Sequence, residues 1–162
     1  VMAIGAAAQR RLSMAFERRE VDKRYVAVVA GALEAPTRGD GWGDIELPLA
    51  ADWPHRPRQR VDAEHGKPSH TRYRVVTHDS ANATAHTTAH ATTRVELQPL
   101  TGRTHQLRVH LMAIGHPIAG DALYAPPEVI ALAPRLLLHA SALAFMHPTR
   151  GESMVFTSTP DF

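Results

Sequence analysis

The apolar positions of this chain follow a helical period near its beginning. At residues 6–20, apolar side chains such as Leu12 and Phe16 recur at intervals of three and four residues. Arginines occupy the other faces, as on a helix that packs one side against a core. The pattern predicts an amphipathic helix over residues 6–20. Residues 1–5 resemble the end of a strand that stops at Gly5.

A second helical pattern covers residues 105–114. Thr104 stands where an N-cap residue accepts a backbone hydrogen bond, and Gly115 stands where helices end in the left-handed conformation. Pro117 prevents the helix from continuing. The apolar stripe of this helix consists of Leu107, Leu111 and Ile114. We therefore predict that this stripe faces the core.

Strand patterns dominate the remaining chain. In the run "KRYVAVVAG", Tyr25, Ala27 and Val29 are expected on one face, with Val26 and Val28 on the other. The predicted strands cover residues 23–30, 71–78 and 92–100, a strand pair within 133–148, and a last strand within 152–160. Strands outnumber helices and do not alternate regularly with them. The predicted fold class is therefore α+β, with a largely antiparallel mixed sheet and flanking helices.

Two segments show neither the helical period nor the alternation of a strand. The Gly- and Pro-rich segment after the first strand contains Trp42 and Trp53, which predict an ordered loop anchored by aromatic side chains. Residues 79–91, "DSANATAHTTAHA", are low in complexity and predict an exposed hairpin extension. His86 and His90 in this extension are four residues apart. A metal site there is disfavoured, because such a segment would not hold the geometry of the ligands.

Composition narrows the class of protein. The 162 residues fit one domain, and 44% hydrophobic with 21% charged residues are typical of a globular chain. No apolar run reaches the roughly 18 residues that a membrane span requires, and the first residues do not resemble a secretion signal. The lack of cysteine excludes disulfides and thiol catalysis. We predict a monomeric, cytoplasmic protein that makes no contact with a membrane.

The basic residues suggest the partner. The net charge is only +2, but the 18 basic residues are nearly all arginine, and the isoelectric point is about 9.4. The planar guanidinium group has five donors and suits phosphate and carboxylate groups. A polyanionic partner is one explanation, and a general bias toward arginine explains the composition equally well.

Residues 101–117, "TGRTHQLRVHLMAIGHP", bring basic groups together. The stretch has two arginines, three histidines, one glutamine and no carboxylate. Arg103 and Arg108, near the start of the predicted helix, could bind an anion together with free backbone N–H groups. A solvated surface helix is the alternative. A zinc site of the three histidines is disfavoured by their spacing and by the lack of a nearby carboxylate, so no metal is predicted.

Extended to "TGRTHQLRVHLMAIGHPIAGDALY", this stretch resembles the third signature motif of the RluA-type pseudouridine synthases. "KRYVAVVAG" resembles the tyrosine strand of the family, and "LPLAADWPHRPRQRV" and "GKPSHTRYRV" resemble its central segment. "APRLLLHASAL" and "MHPTRGESMVFTSTPDF" resemble its C-terminal strands, so the resemblance covers nearly all of residues 1–162. The "DWPHRP" piece and the C-terminal pieces point to the subgroup that modifies large-subunit ribosomal RNA and a tRNA anticodon stem-loop.

The resemblance implies an isomerase that changes the N–C glycosidic bond of an RNA uridine into a C–C bond, without a cofactor or a metal. It implies that Tyr25 contacts C5 of the flipped base and takes part in removing its proton. It also implies that Arg108 pairs with the nucleophilic aspartate and that Leu107 packs against the base. The candidate contacts to RNA phosphates are Arg56, Arg58, Arg60 and Arg103. The alternative for "HRPRQR" is a solvated loop with no RNA contact.

The nucleophile of the family lies in a stretch close to His-Arg-Leu-Asp-x-x-Thr-x-Gly, which this sequence does not contain. The resemblance places that stretch just upstream of Val1. We therefore expect residues 1–162 to form one domain that is the C-terminal part of a catalytic domain. Asp121, in "GDALY", matches a family position outside the nucleophile motif. The alternatives are an inactive RNA-binding remnant of such an enzyme and a metal hydrolase built on the histidines.

Overall fold

The computed structural model describes residues 1–79 and 91–162 of the chain. The helices are α1 (Ala6–Glu17), α2 (Gln106–Ala113) and α3 (Pro127–Ile130), and a 3₁₀ turn covers Trp53–His55. The strands are β1 (Asp22–Ala30), β2 (Gly43–Glu46), β3 (Leu49–Ala51), β4 (Gln59–Val61), β5 (His70–Asp79), β6 (Thr92–Pro99), β7 (Leu138–Met146) and β8 (Ser153–Thr157). Within these ranges no helix is long and apolar enough to cross a bilayer.

Six strands form one sheet in the order β2-β5-β6-β1-β7-β8, and β3 and β4 form a separate hairpin. Every pairing between these strands is antiparallel. The few helices do not alternate with the strands. These features confirm the predicted α+β class with a largely antiparallel sheet, and no parallel pair occurs among the described strands.

Strand β1 lies inside the sheet, between β6 and β7, and one of its faces packs into the core. Ala27 and Val29 are completely buried in the main core, and Tyr25 packs against that core from the same strand face. Helix α2 contributes Leu107 and Leu111 to the same core. The predicted faces of the strand and of the helix are therefore confirmed. As a consequence, Tyr25 lies where the sheet and the start of α2 meet.

The two ends of α2 differ in how well the sequence predicts them. The residue before the first turn is His105, with φ 53°, and no side chain caps the helix. The prediction of Thr104 as the N-cap is therefore wrong. At the other end Gly115 has φ 86°, and its N–H donates to the Met112 carbonyl at 3.0 Å. This confirms the predicted glycine termination, since a left-handed residue there satisfies the last carbonyl groups.

The predictions for the beginning of the chain are only partly correct. Helix α1 forms and buries Leu12, but it ends at Glu17. The predicted strand at residues 1–5 is wrong, because residues 1–4 have no regular structure. Met2 and Ile4 are almost fully exposed. No strand within the described ranges pairs with this segment, so its apolar residues are not part of the sheet.

The predicted strand pair within residues 133–148 is also wrong, since only β7 forms there. The apolar run has no turn residue that could close a hairpin. The first part of this run pairs with the segment after α2 instead, because the Leu137 N–H donates to the Ala119 carbonyl at 3.0 Å. Most of the predicted hairpin extension, including His86 and His90, lies outside the described residues.

The Gly- and Pro-rich segment is ordered and contains β2, β3, the 3₁₀ turn and β4, which the sequence pattern did not predict. Trp42 anchors it, because this side chain is buried. Three guanidinium groups lie 5.1–5.2 Å from its ring, those of Arg24, Arg72 and Arg74. The anchoring role predicted for Trp53 is wrong, since this residue is 68% exposed.

Candidate active site

A cavity of about 430 Å³ lies between β1 and the start of α2. Four of the residues predicted from the sequence line it, namely Tyr25, Arg103, Leu107 and Arg108. Its other lining residues are Phe16, Lys23, Pro99, Thr101, Gly102, His105, Gln106 and Leu138. The structure therefore brings together these four predicted residues, although Tyr25 and Arg108 are far apart in sequence.

The main chain explains why these side chains meet. Tyr25 is the last apolar side chain in the inward-facing row of β1, so its ring borders both the core and the cavity. Leu107, in the first turn of α2, is buried beside it in the same core. Successive side chains of a strand alternate between faces, so Lys23 lies on the same face as Tyr25. Lys23 also lines the cavity, although no pattern in the sequence indicated this role.

Lys23 is partly buried, and burial lowers the pKa of its ammonium group. A Cβ atom on Gly102 would lie 3.7 Å from the Lys23 Nζ atom, so the ammonium group reaches the turn before α2. No carboxylate among the residues that the structure describes lines this cavity. The cavity therefore combines apolar side chains, such as Phe16 and Leu138, with cationic groups, a lining that fits a ligand with both an apolar ring and oxygen acceptors.

Arg108 is held by a carboxylate of this chain. Its Nε atom donates to Asp121 Oδ2 at 2.8 Å, and a terminal nitrogen donates to Oδ1 at 2.6 Å. The side chains are 15% and 1% exposed, respectively. The hydrogen bond to Asp121 raises the pKa of Arg108 above its ordinary value. The sequence indicated a carboxylate partner for Arg108 that the chain lacks, so this pairing with Asp121 is new information from the structure.

Asp121 does not have the environment of a nucleophile. Besides Arg108, the backbone N–H groups of Leu123 and Tyr124 donate to its Oδ1 atom at 3.0 and 3.1 Å. Burial alone would raise the pKa of Asp121, but these donors outweigh burial and leave the pKa below its ordinary value. Both oxygens are occupied and the side chain is 1% exposed, so Asp121 serves to fix the guanidinium group.

Gln106, whose role no sequence pattern indicated, fixes the turn before α2. Its side-chain carbonyl accepts hydrogen bonds from the Thr101 hydroxyl at 2.7 Å and the Arg103 N–H at 3.0 Å. Its amide group donates to the His70 carbonyl and the Thr71 hydroxyl, both at 3.0 Å. Gln106 is buried, and it ties the Thr101–Arg103 turn to β5.

The histidines of this stretch bond to separate partners and do not converge. His110 is fully buried, with Nδ1 3.0 Å from the Thr71 hydroxyl and Nε2 3.0 Å from the Leu47 carbonyl. Burial lowers the pKa of His110. His116 Nδ1 lies 2.9 Å from the Ala30 carbonyl. His110 and His116 are therefore structural side chains, which gives no support to a metal hydrolase.

The remaining predicted arginines lie on the β3–β4 hairpin, outside the lining of the first cavity. The Arg56 guanidinium group stacks on the Trp53 ring at 4.3 Å, and Arg60 pairs with Asp62 at 2.7 Å. A second hollow of about 430 Å³ separates this hairpin from the turn before α2, and Arg103 lines both hollows. The hairpin arginines therefore line neither hollow.

Comparison with known proteins shows the family. Residues 1–113 match the sequence profile of RNA pseudouridylate synthases. The Dual-specificity RNA pseudouridine synthase RluA of Escherichia coli K12 is 49% identical over 162 residues, which are 100% of this chain and 68% of that protein. Its counterpart in Haemophilus influenzae is 43% identical over the same share of both proteins. The chain belongs to the RNA pseudouridylate synthase family.

A solved structure supports the same conclusion. Human RNA Pseudouridylate Synthase Domain Containing 1 superposes with a TM-score of 0.77 at 29% sequence identity, covering 99% of this chain and 63% of that one. The chain thus spans about two thirds of the length of the bacterial and human relatives.

Proposed function

We propose that this chain is the part of an RNA pseudouridine synthase that binds the target uridine and holds the catalytic aspartate in place. The observation that supports this most directly is the convergence of Tyr25, Leu107 and Arg108 on one cavity of about 430 Å³. A cavity of that volume is in the range of small-ligand sites and accommodates one flipped nucleotide. The substrate is a uridine in structured RNA, either large-subunit ribosomal RNA or a tRNA anticodon stem-loop.

The reaction is an isomerisation and requires no cofactor or metal. The bond between C1′ and N1 of the uridine breaks, the uracil ring rotates, and a bond forms between C1′ and C5. The C5 proton leaves and N1 gains a proton, so atoms and electrons balance. Tyr25 takes part in the removal of the C5 proton, and Leu107 packs against the uracil ring.

Arg108 has the donors that this role requires. A guanidinium group has five N–H bonds, and Asp121 accepts two of them. The others remain for a second carboxylate at the cavity, the nucleophilic aspartate of the His-Arg-Leu-Asp motif. Pairing with Arg108 lowers the pKa of that carboxyl and orients it. We infer that the aspartate comes from a segment upstream of Val1, so that residues 1–162 form the C-terminal part of one catalytic domain.

RNA binding involves the basic groups around the cavity. Extrusion of a base from a stacked loop costs a few kcal/mol, which contacts to the RNA backbone offset. Arg103 lines both hollows, and Arg56, Arg58 and Arg60 lie on the neighbouring hairpin. We propose that these four arginines bind phosphates of the flanking nucleotides, and that the enzyme acts as a monomer in the cytoplasm.

A pseudouridine assay on an anticodon stem-loop RNA tests this function. The chain alone should bind the RNA without converting uridine. The chain joined to an upstream segment with the family's His-Arg-Leu-Asp motif should form pseudouridine. In that longer chain, Arg108→Met should abolish conversion, whereas Arg150→Met, on an exposed turn, should not. A longer chain that binds RNA but never forms pseudouridine would contradict the proposal and favour the inactive RNA-binding remnant.

A further inference from the structure

His105 adopts a backbone conformation that few side chains tolerate. It directly precedes α2 with φ 53°, in the left-handed region, and its side chain lines the cavity. Among residues other than glycine, histidine, asparagine and aspartate adopt this conformation most often. The left-handed turn directs the His105 ring toward the cavity and toward one specific partner.

That partner is Tyr124, whose hydroxyl oxygen lies 2.7 Å from His105 Nδ1. The same oxygen accepts a hydrogen bond from the Gln59 N–H at 2.8 Å. The hydroxyl proton also needs an acceptor, and His105 Nδ1 is the acceptor in reach within the described part of the chain. Tyr124 therefore donates to Nδ1, which leaves the ring proton of a neutral His105 on Nε2.

We propose that His105 is a substrate-binding residue that donates its Nε2–H to an oxygen of the nucleotide in the cavity, with Tyr124 fixing its tautomer. The oxygen belongs either to the phosphate next to the target uridine or to a carbonyl of the uracil ring. This inference rests on the proposed function and adds a residue to which the comparisons assign no role.

The charged groups around His105 favour this arrangement. Lys23, Arg103 and Arg108 line the same cavity, and Asp121 lies behind Arg108. Burial lowers the pKa of His105, and the positive charge of Arg108 lowers it further, against the smaller opposite effect of Asp121. The imidazole is thus neutral near pH 7, as its role as an acceptor from Tyr124 requires.

The Tyr124 hydroxyl also connects the site to the β3–β4 hairpin through Gln59, a residue of β4. The Arg108 guanidinium group lies 4.9 Å from the centre of the Tyr124 ring. One tyrosine therefore positions His105 by a hydrogen bond and Arg108 by cation–π contact. Tyr124 thus joins His105, Arg108 and the hairpin in one set of contacts.

Two measurements test the inference. The ¹⁵N shifts of the His105 ring should show the Nε2–H tautomer in the wild-type chain, and Tyr124→Phe should move the Nδ1 signal. His105→Asn tolerates the left-handed backbone and keeps an acceptor for Tyr124, but its side chain is too short for the NH₂ group to replace the Nε2–H donor. It should fold normally and bind an anticodon stem-loop RNA roughly fivefold more weakly, as the loss of one hydrogen bond predicts.

The RNA probe distinguishes the two sources of the oxygen. If the weaker binding of His105→Asn persists on a stem-loop that lacks the target base, the acceptor is a phosphate. If the difference disappears on that RNA, the acceptor is the uracil ring. Equal affinity of wild type and His105→Asn for the intact RNA, or a ring proton on Nδ1, would overturn the inference. Failure of the wild-type chain to bind RNA would instead overturn the proposed function, and the inference with it.

Discussion

The substitution Asp121→Asn removes the charge that holds Arg108 and preserves the shape of the side chain. The carboxylate accepts two hydrogen bonds from Arg108 and one each from the N–H groups of Leu123 and Tyr124. An asparagine carbonyl can keep the two backbone donors. Its NH₂ group, however, would take the place of Oδ2 and face the Arg108 Nε–H donor to donor, so one of the two hydrogen bonds to Arg108 is lost. A guanidinium group that is only 15% exposed would therefore lose its counter-charge.

The burial of the Arg108–Asp121 ion pair determines how much stability the substitution costs. Breaking a buried ion pair by removing one partner costs about 3–5 kcal/mol, because the other charge stays uncompensated. Arg108 borders the cavity, so water can solvate part of it, and we expect about 3 kcal/mol. A domain is stabilised by about 5–15 kcal/mol in total, so this loss is a large share. For a chain of this length it corresponds to a fall in Tm of roughly 6–12 °C.

Urea titration followed by circular dichroism measures the change in the free energy of unfolding. Asp161→Asn is the matched control, because it removes the carboxylate of an exposed pair with Arg135. That control should leave the unfolding midpoint nearly unchanged, since exposed pairs contribute little. Equal midpoints for Asp121→Asn and wild type would refute the conclusion that Asp121 fixes the guanidinium group.

The pH dependence provides a second check on Asp121. Its pKa in the folded protein lies below the ordinary value of about 3.9. A carboxyl with a lowered pKa stabilises the fold above its unfolded-state pKa and loses this contribution as the pH falls through the folded-state pKa. The difference in stability between wild type and Asp121→Asn should therefore be constant near neutral pH and shrink below about pH 4.

Two further substitutions test the framework around the site. Gly120→Ala would place a Cβ atom 1.9 Å from the Arg135 carbonyl oxygen at a φ of 72°, so unfolding titrations should show a loss of about 3 kcal/mol or more. Gly115→Ala, with φ 86° and open space around the new Cβ atom, should cost only about 1 kcal/mol, and equal losses would contradict the steric argument. Arg58→Ala should weaken binding of a stem-loop RNA and reduce the slope of log K against log salt by about one, as measured by fluorescence anisotropy, whereas Arg150→Ala should leave the slope unchanged. An unchanged slope for Arg58→Ala would remove this residue from the RNA contacts.

The sequence predicted the parts of the site that depend on local periodicity. Alternation along β1 placed Tyr25 on the face of Ala27 and Val29, and helical spacing placed Leu107 on the inner face of α2. Both assignments match the core of the structure. Such predictions succeed because a strand or a helix fixes the direction of each side chain once one buried face is known.

The contacts between distant segments could not be predicted in this way. Asp121 reaches Arg108 because the chain reverses after α2, and Gly120 lies so close to the Arg135 carbonyl that no side chain fits there. The partnership of Tyr124 with His105 depends on the same reversal. No period links these positions, so spacing alone could not reveal that Asp121 pairs with Arg108.

The pairing with Asp121 also explains why an arginine suits position 108 and a lysine would not. Asp121 holds Arg108 through Nε and one terminal nitrogen, in the side-on geometry that a planar fork allows. The other N–H bonds stay in the same plane and can hold a second carboxylate in a fixed direction. A lysine ammonium group is a rotating point charge, so binding one carboxylate would not orient it toward another. Asp121 therefore holds Arg108 as a rigid donor at the cavity, which is the property that the proposed pairing with a nucleophilic aspartate requires.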